Sequence, residues 1–132
     1  MMMNTLPRTE ILKSKIRIED LMKQGESFAN HPIRIVYLIH EAEDVPVKVM
    51  FSVSKRRFKH AVDRNKVKRL MREAYRLNKQ ELLSVVENKQ VGMSVMLMFT
   101  GKRLPDFHST SAKIILSLQR LVSIVESTPD QS

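Results

Sequence analysis

Cysteine is absent from this 132-residue chain, and glycine occurs only three times. Without thiols there can be no disulfides, zinc–thiolate sites or thiol nucleophiles, which fits a reducing compartment. Gly25, Gly92 and Gly101 are too dispersed for a phosphate-cradling loop. The four histidines, His31, His40, His60 and His108, lack metal-ligand spacing. Ser52 and Ser54 fall in a predicted strand rather than a nucleophile elbow. No apolar run approaches the roughly 20 residues that span a bilayer. The opening MMMNTLPRTE has no apolar core of a signal peptide, so a cytoplasmic location without membrane attachment is expected. These absences leave no set of side chains from which to assemble a protein-borne active site or metal centre.

Positive charge is abundant. The net charge is +9, and Lys55–Lys79 carries eleven of the 23 basic residues against two acids, Asp63 and Glu73. A balance of this sign and size implies a polyanionic partner, nucleic acid or an anionic membrane. Within the segment, DRNKVKRLMREAYR reads as a helix beginning near Asp63, a residue suited to the N-cap. Val67, Leu70, Met71, Ala74 and Leu77 then form an apolar stripe. Asn65, Lys68, Arg69, Arg72 and Arg76 lie opposite, with Arg64 and Lys66 near the helix start. Like charges at this spacing cost about 0.2–0.5 kcal/mol per pair, and cations oppose the positive N-terminal end of the helix dipole. An ordinary solvated face mixes signs, so this one is read as a phosphate-binding surface. The stripe is needed for the core and cannot also enter lipid. Guanidinium forks suit phosphate oxygens, and no helix-turn-helix pair argues for DNA.

The remaining pattern predicts one domain over residues 10–126, with residues 1–9 a disordered or loosely docked arm and 127–132 a frayed tail. A helix over ILKSKIRIEDLMKQGESF ends near Gly25, read as its C′ residue, with Ile11, Ile18, Leu21 and Met22 on one face. IRIVYLIH (33–40) and VKVMFSVS (47–54) read as strands paired in an antiparallel hairpin through the acidic turn Glu41, Glu43 and Asp44, itself read as solvated. KQELLSVVEN extends the basic helix or forms a short second one. VGMSVMLMFT (91–100) reads as a buried strand and Ser109–Glu126 as the last helix. The order helix, strand, strand, helix, strand, helix predicts a two-layer α/β (α+β) sandwich with helices on one face of a small sheet.

The stretch FSVSKRRFKHAVDRNKVKRLMREAYR resembles the signature of the bacterial ribonuclease P protein component. The matching residues are Ser52, Val53, Ser54, Lys55, Ala61, Val62, Arg64, Asn65, Lys68, Arg69, Arg72 and Glu73. Lys66 stands where the family usually has a second arginine, and Ile18 and Met22 stand at two positions commonly aromatic. The resemblance implies a left-handed β-α-β crossover, where general topology favours the right-handed form. It implies a protein that binds the catalytic RNA of ribonuclease P and precursor tRNA, promoting removal of the tRNA 5′ leader. Chemistry would rest on the RNA and Mg²⁺ bound mainly by it, with no catalytic residue or cofactor on the protein and no obligate protein partner. Arg64, Asn65, Lys66, Lys68, Arg69, Arg72 and Arg76 would face the catalytic RNA. Ile18, Met22 and Tyr37, with Lys55 and Arg56 at the basic edge, would form a cleft for the leader, Tyr37 serving as the stacking platform. From composition alone, a general RNA-binding or ribosome-associated module, or a self-sufficient basic nuclease, are the competing expectations.

Overall fold

The run Val91–Phe99 is apolar at almost every position, so it needs cover on both faces. In the computed structural model, which describes residues 5–129, it takes an interior place in a four-stranded sheet. The strands are β1 (Glu26–Asn30), β2 (Ile33–Glu41), β3 (Val47–Val53) and β4 (Val91–Phe99), in the order β1-β2-β4-β3. β4 is antiparallel to β2, with Val95 opposite Tyr37, and parallel to β3, with Leu97 opposite Phe51. Four helices complete the chain: α1 (Lys15–Gln24), α2 (Ala61–Asn78), α3 (Gln80–Asn88) and α4 (Phe107–Glu126).

Strand alternation divides the core in two. Ile33, Ile35 and Tyr37 of β2, Val47, Val49 and Phe51 of β3, and Met93, Val95 and Leu97 of β4 point to one side. There they pack with Val67 and Met71 of α2, Leu82 of α3, and Ile114 and Leu121 of α4. Val36 and Met96 point to the other side, where Leu12 and Leu21 cover them, with Ile18, Leu38, Met50 and Met98 packed around. Helices therefore lie on both faces, three on one and α1 alone on the other.

Several sequence expectations change. The 33–40 and 47–54 strands do not pair, because β4 is inserted between them and makes hydrogen bonds to both. A hairpin would have left the most apolar strand at an edge. ESFAN is a strand, β1, not the end of a helix: its register with β2 runs from Glu26 opposite Tyr37 to Asn30 opposite Ile33. Gly25 does follow α1, but with φ −71° and not in the left-handed region. Its role is close approach, since a Cβ there would lie 2.4 Å from the Leu21 carbonyl oxygen and 2.9 Å from that of Tyr37. The basic helix starts at Ala61 after His60, which places Asp63 inside the first turn and not at the cap. Leu77 is exposed and Tyr75 takes its place in the core. KQELLSVVEN becomes the separate α3, and α4 begins at Phe107 because the Asp106 carboxylate accepts from the Ser109 N–H at 2.7 Å.

The arm of residues 1–9 is docked where it is described, residues 1–4 lying outside the described part. Leu6 packs on the core. The buried Lys79 ammonium donates to the Thr5 carbonyl and, at 2.6 Å, to a Glu10 carboxylate oxygen. Lys79 thus leaves the basic surface and becomes an internal tie. At the other terminus, Lys89 donates to the Thr128 carbonyl at 3.1 Å, so the expected frayed tail is tethered at its start; residues 130–132 lie outside the described part.

Two neighbouring polar groups here predict opposite outcomes. Tyr75 is fully buried and its hydroxyl has no hydrogen-bond partner. Burial, with the Glu10 charge adding to it, pushes this phenol far up. Tyr75→Phe removes an unsatisfied hydroxyl and should leave stability unchanged or raise it by about 1 kcal/mol. Glu10→Gln leaves the buried Lys79 charge without its counterion and should cost about 3 kcal/mol. Denaturant unfolding of both variants measures the contrast.

Candidate nucleic-acid interface

The first surface is the outer face of α2. Asn65, Lys66, Arg69 and Arg72 are exposed, while Val67, Met71, Ala74 and Tyr75 on the opposite side are buried. Among the described residues, Lys66, Lys68 and Arg69 form no ion pair. Arg72 lies over the Phe51 ring, 5.6 Å from its centroid, which steadies the guanidinium through the ring's negative face. Two cations of the segment, Arg64 and Arg76, have partners within the protein. Arg64 turns back, donating from Nη1 to the Phe58 and Lys59 carbonyls at 2.7 and 2.9 Å. It braces the connection into α2. Arg76 pairs with Glu73, its Nε donating to the carboxylate at 3.0 Å. That hydrogen bond holds the Glu73 carboxyl below its ordinary value.

The second surface is the cleft between α1 and the sheet. A cavity of about 440 Å³ is lined by Met22, Val36, Met96 and Met98, with Arg34 and Thr100 among its polar residues. Met22 is exposed and Ile18 half-buried over the same side of the sheet. Lys55 and Arg56 are exposed in the turn after β3, at the sheet end where Val53 lies opposite Phe99.

Tyr37 does not belong to this cleft. It shares the parity of Ile33 and Ile35 and so points to the opposite face, beneath α4. Its ring tilts against Phe28 at 6.1 Å, and Arg120 of α4 lies 4.4 Å over Phe28. Burial first, then the Glu26 charge, pushes its phenol up. The neighbouring Val36 occupies the cleft position instead. Met96 and Met98 also line the cleft, and the near-uniform apolarity of VGMSVMLM hides which of its residues face that side. Their two-residue spacing, the same as between Arg34 and Val36, was the available signal.

The other end of the α1–sheet seam is acidic. Arg17, Asp20, His40, Glu41 and Glu43 surround a smaller cavity of about 260 Å³. The Arg17 guanidinium pairs with Glu43, so this residue of the acidic turn is an anchor for α1, not a solvated bystander. His40 lies between the Glu41 carbonyl, 2.9 Å from Nδ1, and the Ser94 hydroxyl, 3.2 Å from Nε2.

A one-signed cationic helix face and an apolar cleft with a basic end on the far side of the same sheet are features suited to an RNA-binding protein of the α/β sandwich class. The ribonuclease P family model matches residues 6–115. A ribonuclease P protein component from Porphyromonas gingivalis is 37% identical over 124 residues, covering 93% of this chain and 90% of that protein. One from Chlorobaculum tepidum is 33% identical, covering 91% and 84%. Among solved structures, the ribonuclease P protein of Thermotoga maritima superposes with a TM-score of 0.66 at 22% identity, covering 84% of this chain and 96% of that one. The Staphylococcus aureus protein gives 0.58 at 24% identity, covering 89% and 95%. The chain belongs to the ribonuclease P protein family. Among the described residues, no helix is long and apolar enough to cross a membrane.

The Arg17–Glu43 pair yields a pH test. Partial burial pushes the Glu43 carboxyl up, but the Arg17 hydrogen bond and charge, aided by His40 and Lys48, outweigh it and hold the group below its ordinary value. A carboxyl depressed in the folded state stabilises it above the unfolded pKa, and this contribution is lost as pH falls through the folded pKa. In Arg17→Ala, Glu43 should titrate at higher pH than in the parent, followed by carboxyl NMR. An unmoved titration would mean that Arg17 does not hold α1 through this carboxylate.

Proposed function

We propose that this chain, as the protein subunit of ribonuclease P, holds the catalytic RNA on the outer face of α2 and the single-stranded 5′ leader of precursor tRNA in the α1–sheet cleft. Cleavage chemistry belongs to the RNA and to Mg²⁺ bound mainly by it, and the working compartment is the cytoplasm. The observation that carries this reading is the exposed run Asn65, Lys66, Arg69 and Arg72 on a helix whose opposite side is locked into the core. Such a face gains nothing for folding and suits a phosphate backbone. Lys66 keeps the charge of the usual family arginine without its bidentate fork.

In the cleft, Met22, Val36, Met96 and Met98 take the place of an aromatic platform. Thioethers are polarisable and pack against π-systems. A base can therefore lie against them without sequence selection, as suits an enzyme whose substrates carry different leaders. Arg34 lines the same cleft and is exposed, a cation for the backbone of that strand.

Arg69→Ala tests the reading. The side chain is exposed, so unfolding should change by less than about 0.5 kcal/mol. Affinity for the catalytic RNA should fall, and the slope of log affinity against log salt should become shallower by about 0.7–0.9 for one lost phosphate contact. Parallel salt titrations of the parent and variant measure this. An unchanged slope and affinity would remove α2 from the RNA interface.

A further inference from the structure

β3 is an edge strand, so its residues have a strand neighbour on one side only. Phe51 lies opposite Leu97 of β4. On the outer edge, the bridge from Ile11 reaches Val49, two residues before Phe51. α2 covers the Phe51 ring from the helix side. Tyr75 of α2, fully buried, meets this ring edge-on, with centroids 5.9 Å apart and planes 72° apart. Arg72, three residues earlier and exposed, lies over the same ring, 5.6 Å from its centroid. Residues three apart share a helix face, so two side chains of α2 converge on one ring.

The two contacts do different things. Tyr75, packed in the core, fixes the plane of the Phe51 ring. The fixed ring then holds the Arg72 guanidinium, because a cation within about 6 Å of a ring face is attracted to it. Glu73, next to Arg72 in the chain, does not compete, since the Arg76 Nε donates to its carboxylate at 3.0 Å. Among the described residues, no aromatic ring lies under Lys66, Lys68 or Arg69. The two lysines carry compact charges on flexible stems. The face thus combines a cation supported by a ring with cations carried on the helix surface alone.

We infer that Phe51 is a positioning residue for catalytic-RNA binding: its ring presents the Arg72 guanidinium in a fixed plane, so that Arg72 makes a directional phosphate contact while Lys66, Lys68 and Arg69 supply charge. The inference rests on the reading of α2 above and adds to it a core residue that touches no RNA. Guanidinium N–H groups match phosphate oxygens as a planar fork, so the orientation of the plane matters. Binding must order the side chains it uses, and each one ordered costs affinity. A guanidinium already held over a ring has given up that freedom in the free protein, so it loses less on binding. An ammonium has no plane to hold, so the advantage belongs to arginine. Phe51 itself is only 8% exposed, which keeps the ring out of the interface and under the guanidinium.

The experiment titrates the full chain with catalytic RNA over a range of salt. The proteins are the parent, Phe51→Leu, Phe51→Met, Arg72→Ala, and each Phe51 change combined with Arg72→Ala. Leucine and methionine remove the ring but keep an apolar core residue, and unfolding curves identify the variants that are folded in the assay. Arg72→Ala should weaken binding and make the log–log salt slope shallower by about 0.7–0.9, for one lost phosphate contact. Phe51→Leu and Phe51→Met should weaken binding by about two- to tenfold, the ordering cost of one long side chain. They should keep the parent's slope, because the charge remains. In the Arg72→Ala background the same changes should weaken binding no further. An equal loss in both backgrounds would make Phe51 a purely structural residue and overturn the inference, as would no loss in the parent background. Unchanged affinity and slope in Arg72→Ala would instead fail the underlying reading of α2, and the positioning role with it.

Discussion

Burial of β4 on both of its faces is the constraint on which the architecture turns. Val91, Val95, Leu97 and Phe99 are covered by the α2, α3 and α4 layer, and Met96 by Leu21 and Leu12 on the other side. A strand with this composition is stable only where both neighbours are strands and both faces are packed. Once it lies between β2 and β3, the chain must cross from β3 to β4 through α2 and α3. That crossing lays α2 against β3, with Phe51 and Tyr75 in edge contact at 5.9 Å, and turns the cationic side of the helix outward. The cationic face therefore follows from the demands of the core, although its charges add nothing to the core.

Charge is separated along the strands as well as across the sheet. Glu41 and Glu43 lie where β2 ends, and Arg17 ties α1 to Glu43. Lys55, Arg56, Arg57, Lys102 and Arg103 gather at the opposite end, after β3 and β4. The separation places the Arg17–Glu43 ion pair at one end and exposed cations at the other. Three cations of the basic segment are engaged within the protein. Arg64 braces the loop before α2, Arg76 is paired with Glu73, and Lys79 is buried against Glu10. A charge run in a sequence thus mixes exposed cations with braces and internal ties; the partners of Arg64 and Arg76 are local, and that of Lys79 is distant in the chain.

Periodicity, composition and the signature around Asn65 are local properties, and through them the sequence by itself determined the helices, three of the strands, the cationic face of α2 and the family. Strand order and the assignment of each surface were decided only in the tertiary structure. The hairpin expected between 33–40 and 47–54 failed because local alternation cannot report that a strand some forty residues later will insert between them. β1 was hidden in a polar stretch, and pairing with β2 makes it a strand. Tyr37 lies in a strand, as its neighbours in the sequence predict, but it faces the helix layer and not the cleft, since only the packing of Ile33 and Ile35 under the helices fixes which parity points inward. Val36, Met96 and Met98 line the α1–sheet cleft because α1 settles on the side that the other helices leave open. A face of a sheet has no identity until something packs on the other one, and that choice is made by contacts between segments far apart in the chain.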